Sequence, residues 1–170
     1  RYFDYFAITV FPSGSSFFLS LPAMKGLHGC ALIGPGLARS EECLATLQQI
    51  IRGAPCPLIL DATALQPQTI EWIGGKHAVL TPHLGELERM GIDHNLVATI
   101  ARDKKITIHI KGMIDTIAGP DGTTREVSGG NAGLTVGGTG DALAGLIAGL
   151  IAQKMPAPDA CVLASQVIKG

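Results

Sequence analysis

Residues 137–152 read GGTGDALAGLIAGLIA, a glycine-rich loop that runs directly into an apolar helical pattern. Glycines let several backbone N–H groups converge on one point, and the start of a helix adds a partial positive charge. The pattern therefore favours a site for a phosphoryl group, beside which Asp141 can accept a proton from a hydroxyl. The alternative is that Asp141 only caps the helix and the glycines form a turn.

Composition narrows the class of protein. The chain has 170 residues, 46% apolar and 16% charged, with a net charge of −1, which suits a single folded domain. Without a Lys/Arg-rich run, it is not expected to bind nucleic acid. Residues 1–10 lack a signal-peptide pattern, and residues 134–152 are interpreted as a buried helix rather than a membrane span. A cytoplasmic protein with no membrane partner is predicted, its four scattered cysteines buried and reduced.

Short apolar runs alternate with helical patterns along the chain, which is typical of βα units around a mostly parallel sheet. A tight turn at residues 120–122 is predicted to join the last two strands. Ser40 is the expected N-cap of the first helix. The predicted strands are residues 6–11, 29–33, 58–60, 78–80, 106–110, 116–118 and 125–127. The predicted helices are residues 40–52, 96–104 and 142–154, and a last one from about residue 156 towards Gly170.

Polar or glycine motifs follow four of the predicted strands, at the carboxyl ends where parallel α/β sheets bind ligands. They are residues 34–37, Asp61, residues 81–86 and the pair Lys111-Gly112. In residues 81–86, His83 is a candidate substrate contact and Glu86 a candidate support for a metal-bound water. Each motif alone also fits a simple turn, or the start of a helix at Thr81. Their shared placement nevertheless predicts one site.

These motifs resemble those of the NAD(P)H-hydrate dehydratase family, a branch of the ribokinase-like superfamily. GGTGD alone indicates only the superfamily. LTPHLGE with IGPGL narrows the resemblance to the dehydratases, since related sugar and vitamin kinases usually carry Asn in place of His83. The resemblance implies an α/β ribokinase-like three-layer fold with a mostly parallel central sheet, in one domain over residues 1–170. The matching motifs are IGPGL (33–37), LDATAL (60–65), LTPHLGE (80–86), KG (111–112), the glycine-flanked Asn131 and GGTGDALAG (137–145).

The resemblance implies repair of NADHX and NADPHX, the hydrated and damaged forms of the reduced nicotinamide cofactors. Such enzymes phosphorylate the added hydroxyl of the (6S) form with ADP, or with ATP in the eukaryotic branch, and phosphate loss restores the ring double bond. Carried over by motif, Asp141 is the catalytic base, and Gly36, His83 and Asp141 contact the substrate. Glu86 supports Mg²⁺ through water, and a homo-oligomer such as a tetramer is implied. The implied nucleotide-binding residues are Lys111, Gly112, Met113, Ile114, Asp115, Gly138, Thr139 and Gly140.

The chain also departs from the family pattern. Relatives carry a longer stretch before the first strand, with an early glycine/alanine motif that touches substrate, and residues 1–26 do not contain it. The segment after Glu86 is shortened. The chain is therefore expected to be a domain lacking N-terminal elements, either as a fragment or as a reduced relative. Two alternative functions stay open: a kinase for a vitamin-precursor alcohol, and a nucleotide-binding module without turnover.

Overall fold

A computed structural model describes residues 29–130 and 138–170. Its central sheet has six strands in the order β1-β2-β3-β4-β5-β6. The first four are parallel, and β5 and β6 are antiparallel, which confirms the predicted mostly parallel sheet and the hairpin turn. The predicted strand at residues 6–11 lies outside the described residues. The strands are β1 (Ala31–Ile33), β2 (Leu58–Leu60), β3 (Ala78–Leu80), β4 (Thr107–Ile110), β5 (Ile114–Ala118) and β6 (Thr124–Ser128).

Among the described residues, six α-helices connect and cover these strands. The Ser40 side chain accepts a hydrogen bond from the Cys43 N–H at 3.2 Å, confirming Ser40 as the cap of the first helix. The sequence-based assignment lacks the short helix at Thr69–Ile73, and it contains the one at Leu84–Arg89 only as an alternative that starts at Thr81. Five or six residues are too few to establish a helical period. The helices are α1 (Glu41–Gly53), α2 (Thr69–Ile73), α3 (Leu84–Arg89), α4 (Val97–Lys104), α5 (Thr139–Ala152) and α6 (Ala157–Lys169).

Strands β1 to β4 are buried on both faces, as their largely apolar sequences predict, whereas most of β6 is exposed. Successive strand residues point to opposite sides, so Leu58 and Leu60 pack in one core and Ile59 in the other. Helices α1 to α4 cover the first face, while α5 and α6 cover the second. This arrangement gives three layers, helix on sheet on helix. In the described part of the chain no helix is long and apolar enough to cross a bilayer.

Three of the four cysteines are buried, and none of the four is in a disulfide. Burial raises the pKa of the Cys30 thiol to about 12, and it raises those of Cys56 and Cys161 as well. These three thiols are therefore protonated at neutral pH. Cys43 differs from the prediction, because it lies on helix α1 and is only partly buried.

Candidate functional site

The carboxyl ends of three strands and the amino end of one helix meet at the ammonium group of Lys111. Its Nζ lies 2.7 Å from Oδ1 of Asp61, which follows β2, and 3.8 Å from Oε2 of Glu86, which follows β3. Both carboxylates are buried. A Cβ atom built on Gly140 would lie 3.5 Å from the same Nζ, so the first turn of α5 is adjacent. The structure thus brings together motifs that are up to 79 residues apart in sequence.

His83 and Glu86 are joined in a reciprocal capping box at the start of α3. The His83 Nδ1 accepts the Glu86 backbone N–H at 3.2 Å, and Oε2 of Glu86 accepts the His83 backbone N–H at 3.0 Å. The helix therefore begins three residues later than the alternative start at Thr81. Because the His83 side chain is also 55% exposed, it can cap the helix and still reach a ligand.

The loop after β1 packs tightly against the end of β2. Gly34 has φ +126°, and a Cβ there would lie only 1.7 Å from the carbonyl oxygen of Asp61, so no other residue fits. Gly36, at φ +71°, is exposed on the same loop. Ala62, directly after Asp61, has φ +49°, a left-handed conformation that costs a non-glycine residue energy. The backbone on either side of Asp61 is thereby held in one conformation.

The start of helix α5 carries the predicted phosphate loop and base. Gly138 is its N-cap, with φ +99°, and Thr139 and Gly140 are the first helical residues. Asp141 lies in the first turn, and its side chain is exposed. This places a carboxylate beside the positive end of the helix dipole, open to a substrate. Residues 131–137, which include Asn131 and Gly137, lie outside the described residues.

The predicted nucleotide-binding residues 111–115 divide into an exposed and a buried part. Gly112 and Met113 are exposed on the connection between β4 and β5, and Ile114 is exposed at the start of β5. Asp115 instead points into the protein and is 3% exposed. Its carboxylate is fully engaged by protein groups, so any effect of that side chain on a nucleotide has to pass through its neighbours.

Four groups surround the buried Asp115 carboxylate. Oδ1 accepts the Gly112 N–H at 2.9 Å and lies 3.2 Å from Lys169 Nζ, while Oδ2 accepts the Ser165 hydroxyl at 2.5 Å. Oδ2 is also 3.1 Å from Nε2 of His109. Burial by itself would raise the pKa of the Asp115 carboxyl, but the hydrogen bonds from His109, Ser165 and Gly112 lower it to about 2. Asp115 is therefore ionised at neutral pH.

The lowered pKa of Asp115 predicts a loss of stability in acid. The contribution is complete above the ordinary carboxyl value of 3.8 and disappears as the pH falls towards about 2. A shift of that size corresponds to about 2–3 kcal/mol of unfolding free energy. Asp115→Asn should remove this part of the pH dependence, which urea unfolding at pH 5 and pH 2.5 measures. A mutant whose stability falls as steeply as the wild type between these two pH values would contradict the prediction.

Asp121 is the surface comparator for this measurement. The Thr123 hydroxyl and N–H lower its pKa as well, but it is exposed at the hairpin turn. Asp121→Asn should therefore flatten the pH dependence less than Asp115→Asn does.

The residues around Lys111 suit a hard divalent cation held partly by phosphate. Mg²⁺ is commonly bound through one or two carboxylates, waters and substrate phosphates, and Asp61 and Glu86 offer such oxygens. The described residues contain no cluster of three or more His, Cys, Asp or Glu side chains that would bind a metal without a ligand. The donor set fits a cation whose remaining ligands are waters and the phosphates of a nucleotide.

A cavity of about 460 Å³ lies at the opposite edge of the sheet, by the amino ends of β2, β3 and β4. Its lining includes Pro57, His77, Lys105 and Met155 and none of the predicted site residues. The described residues of the candidate site lie instead on loops at the carboxyl edge of the sheet.

Comparison with known proteins agrees with these motifs. The family model described as NAD(P)H-hydrate dehydratase matches residues 19–170. An ADP-dependent (S)-NAD(P)H-hydrate dehydratase of Xanthomonas campestris is 36% identical over 143 residues, which is 79% of this chain and 49% of that protein. The chain spans about half the length of the ADP-dependent dehydratases it matches.

Solved structures show the same relationship. An ADP/ATP-dependent NAD(P)H-hydrate dehydratase from Bacillus subtilis, co-crystallized with ATP/Mg²⁺, superposes with a TM-score of 0.62 and 33% identity, covering 81% of this chain and 53% of that one. A ribokinase-like superfamily protein of Enterococcus faecalis superposes with a TM-score of 0.64 and 26% identity, covering 82% of this chain and 53% of that one. The fold is ribokinase-like, as predicted, and the chain belongs to the NAD(P)H-hydrate dehydratase family.

Proposed function

We propose that this chain carries the nucleotide and acid/base site of an ADP-dependent dehydratase that repairs (6S)-NADHX and (6S)-NADPHX. The observation that carries the proposal is the convergence of Asp61, Glu86, Lys111 and Gly140 at one sheet edge, next to the exposed Asp141. An ammonium group beside a helix N-terminus attracts a phosphate group, and a carboxylate in the first helical turn is placed to take a proton.

The chemistry divides into two steps. Asp141 accepts the proton of the added hydroxyl while that oxygen attacks the terminal phosphorus of ADP, and AMP leaves. The phosphate ester then departs as inorganic phosphate with loss of a proton from the neighbouring ring carbon, which restores the double bond. NADHX and ADP thus give NADH, AMP and phosphate. Holding the phosphoryl group in line with the hydroxyl is the difficult part, and the Lys111 ammonium and the α5 N-terminus serve that purpose.

Within this proposal, Glu86 supports Mg²⁺ through water. The ion would supply neutralisation of negative charge on the nucleotide phosphates. Gly36 and His83 contact the hydrated dinucleotide, and Lys111 to Asp115 with Gly138 to Gly140 form the nucleotide side. We further propose a cytoplasmic homo-oligomer, such as the tetramer that the resemblance implies.

Two measurements test the proposed function. Calorimetric titration with ADP and ATP in the presence of Mg²⁺ should give binding to the folded chain, and addition of NADHX with ADP should restore the NADH absorbance. The proposal would be contradicted if a folded sample, extended through any upstream region of its gene, showed no nucleotide binding and no turnover. Nucleotide binding without turnover would favour the alternative of a nucleotide-binding module. Phosphorylation of a hydroxymethylpyrimidine or thiazole alcohol would favour the alternative of a kinase for a vitamin precursor.

His83 provides a test of the substrate side. Losing one hydrogen bond to a neutral group costs about 0.5–1.5 kcal/mol, so His83→Ala should raise the KM for NADHX by about three- to tenfold and change ADP affinity little. Steady-state kinetics with each ligand varied in turn measures both effects. An unchanged KM for NADHX, or a loss of affinity confined to ADP, would contradict the placement of His83 on the substrate side of the site.

His83→Asn is the matched control, because the structure gives His83 a second role as a helix cap. Asparagine caps a helix well but does not have the reach of an imidazole. His83→Ala should therefore also lower the unfolding free energy by about 1 kcal/mol, whereas His83→Asn should not. If only the alanine variant raises the KM, the cause is the lost cap, not a lost substrate contact.

A further inference from the structure

The connection between β4 and β5, which carries Lys111, is tied from inside to the last helix, α6. Lys169, in the last turn of α6, donates from Nζ to the carbonyl oxygens of Gly112 and Met113, both at 2.8 Å. The same Nζ lies 3.2 Å from Oδ1 of Asp115. The Lys169 side chain is 7% exposed, so its ammonium group is removed from solvent and held by these partners.

The Asp115 carboxylate completes this attachment from the other side. It accepts the Gly112 N–H, while the carbonyl of the same glycine accepts from Lys169, so both polar backbone groups of Gly112 are held. The Ser165 hydroxyl, one helical turn before Lys169, anchors Asp115 through its other oxygen. The charges of Asp115 and Lys169 balance each other, which allows the pair to be buried.

His109 is the fourth partner of the Asp115 carboxylate. Asp115 is ionised and can only accept, so Nε2 of His109 carries the proton and donates. Its other ring nitrogen, Nδ1, is buried and has no hydrogen-bond partner among the described residues.

We propose that Asp115 and Lys169 are positioning residues that hold residues 111–114 in the conformation that binds the nucleotide. The inference rests on the proposed function, and it changes the role of Asp115 from a direct contact to a support. It also makes helix α6 part of the nucleotide site without touching the ligand. Because Gly112 directly follows Lys111, a shift of its backbone moves the Lys111 ammonium away from Asp61 and Gly140.

Lys169→Met tests the inference, with Lys104→Met as its matched control. Lys104 is an exposed lysine in the last turn of α4, so the same chemical change there should leave residues 111–114 unaffected. In Lys169→Met, amide hydrogen exchange in the peptide covering residues 109–116 should accelerate while the rest of the sheet stays protected. The Kd for ADP should rise by about three- to tenfold with the KM for NADHX unchanged, and Lys169→Arg should restore most of the affinity.

The outcomes separate this inference from the proposed function. If wild-type protein binds ADP and Lys169→Met binds it equally well, the positioning role is wrong and the proposed function stands. If wild-type protein, extended through any upstream region of its gene, neither binds ADP nor turns over NADHX, the proposed function fails and the inference fails with it. Should Lys169→Met not fold, Lys169→Gln is judged by the same two measurements, since it keeps a donor and loses the charge. Equal losses in Lys104→Met would also overturn the inference.

Discussion

Asp141→Asn should lower the rate of NADHX dehydration by about 10²- to 10⁴-fold, the usual contribution of a general base. Asparagine keeps the shape of the side chain and its ability to accept a backbone hydrogen bond at a helix start, but it cannot take the hydroxyl proton. Since Asp141 is exposed in the first turn of α5, the fold and the affinity for ADP should change little. Recovery of NADH absorbance from NADHX, with ADP titration alongside, measures both.

Asp159→Asn is a matched control for this experiment. Asp159 is also an acidic residue in the first turn of a helix, α6, and its side chain pairs with Arg125 on β6. The same chemical change there removes a charge from a helix N-terminus but should leave turnover intact. Residual turnover of more than about a tenth in Asp141→Asn would limit Asp141 to a structural role in the first turn of the helix.

Lys111→Met should lose both nucleotide binding and stability. Its ammonium is the counter-charge of Asp61, and removing one partner of a buried pair leaves a carboxylate without compensation, at a cost of about 3 kcal/mol. The same substitution removes the charge that attracts the phosphates, so the Kd for ADP should rise by at least about tenfold. Urea unfolding and calorimetric titration give the two quantities.

The double variant Lys111→Met/Asp61→Asn separates these two effects. With Asp61 neutral, the uncompensated charge is gone and most of the lost stability should return. Nucleotide affinity should stay low, because the ammonium is still missing. A double variant that regains both stability and affinity would show that Lys111 has only a structural role.

Local pattern was sufficient for much of this fold. Strands β2 and β3 have the predicted bounds, because each is an uninterrupted apolar run covered on both faces. Helix α2 was missed because it has only five residues, and its existence depends on packing of Trp72 and Ile73 in the core. Helix propensity over so short a segment is outweighed by tertiary contacts.

Sequence reasoning also located the candidate site but not its internal partners. The carboxyl ends of parallel strands meet at one edge, so Asp61, Glu86 and Lys111 could be expected near one another. The resemblance implies a nucleotide contact for Asp115, and the structure adds a buried partner for its carboxylate, Ser165, which is 50 residues away. A histidine within the apolar run at residues 106–110 was the available signal for a buried polar partner. The identity of that partner is a long-range fact that no local pattern contains.

The contact between Gly34 and Asp61 affects how related sequences should be interpreted. Because the Asp61 carbonyl fills the space of a Cβ at position 34, a glycine there is required by packing alone. An inactive descendant of such a protein would keep Gly34 for as long as it folds, so this glycine is a marker of architecture. The exposed Asp141 has no comparable packing role among the described residues. A relative that has lost its activity would therefore be expected to lose this aspartate before it loses Gly34.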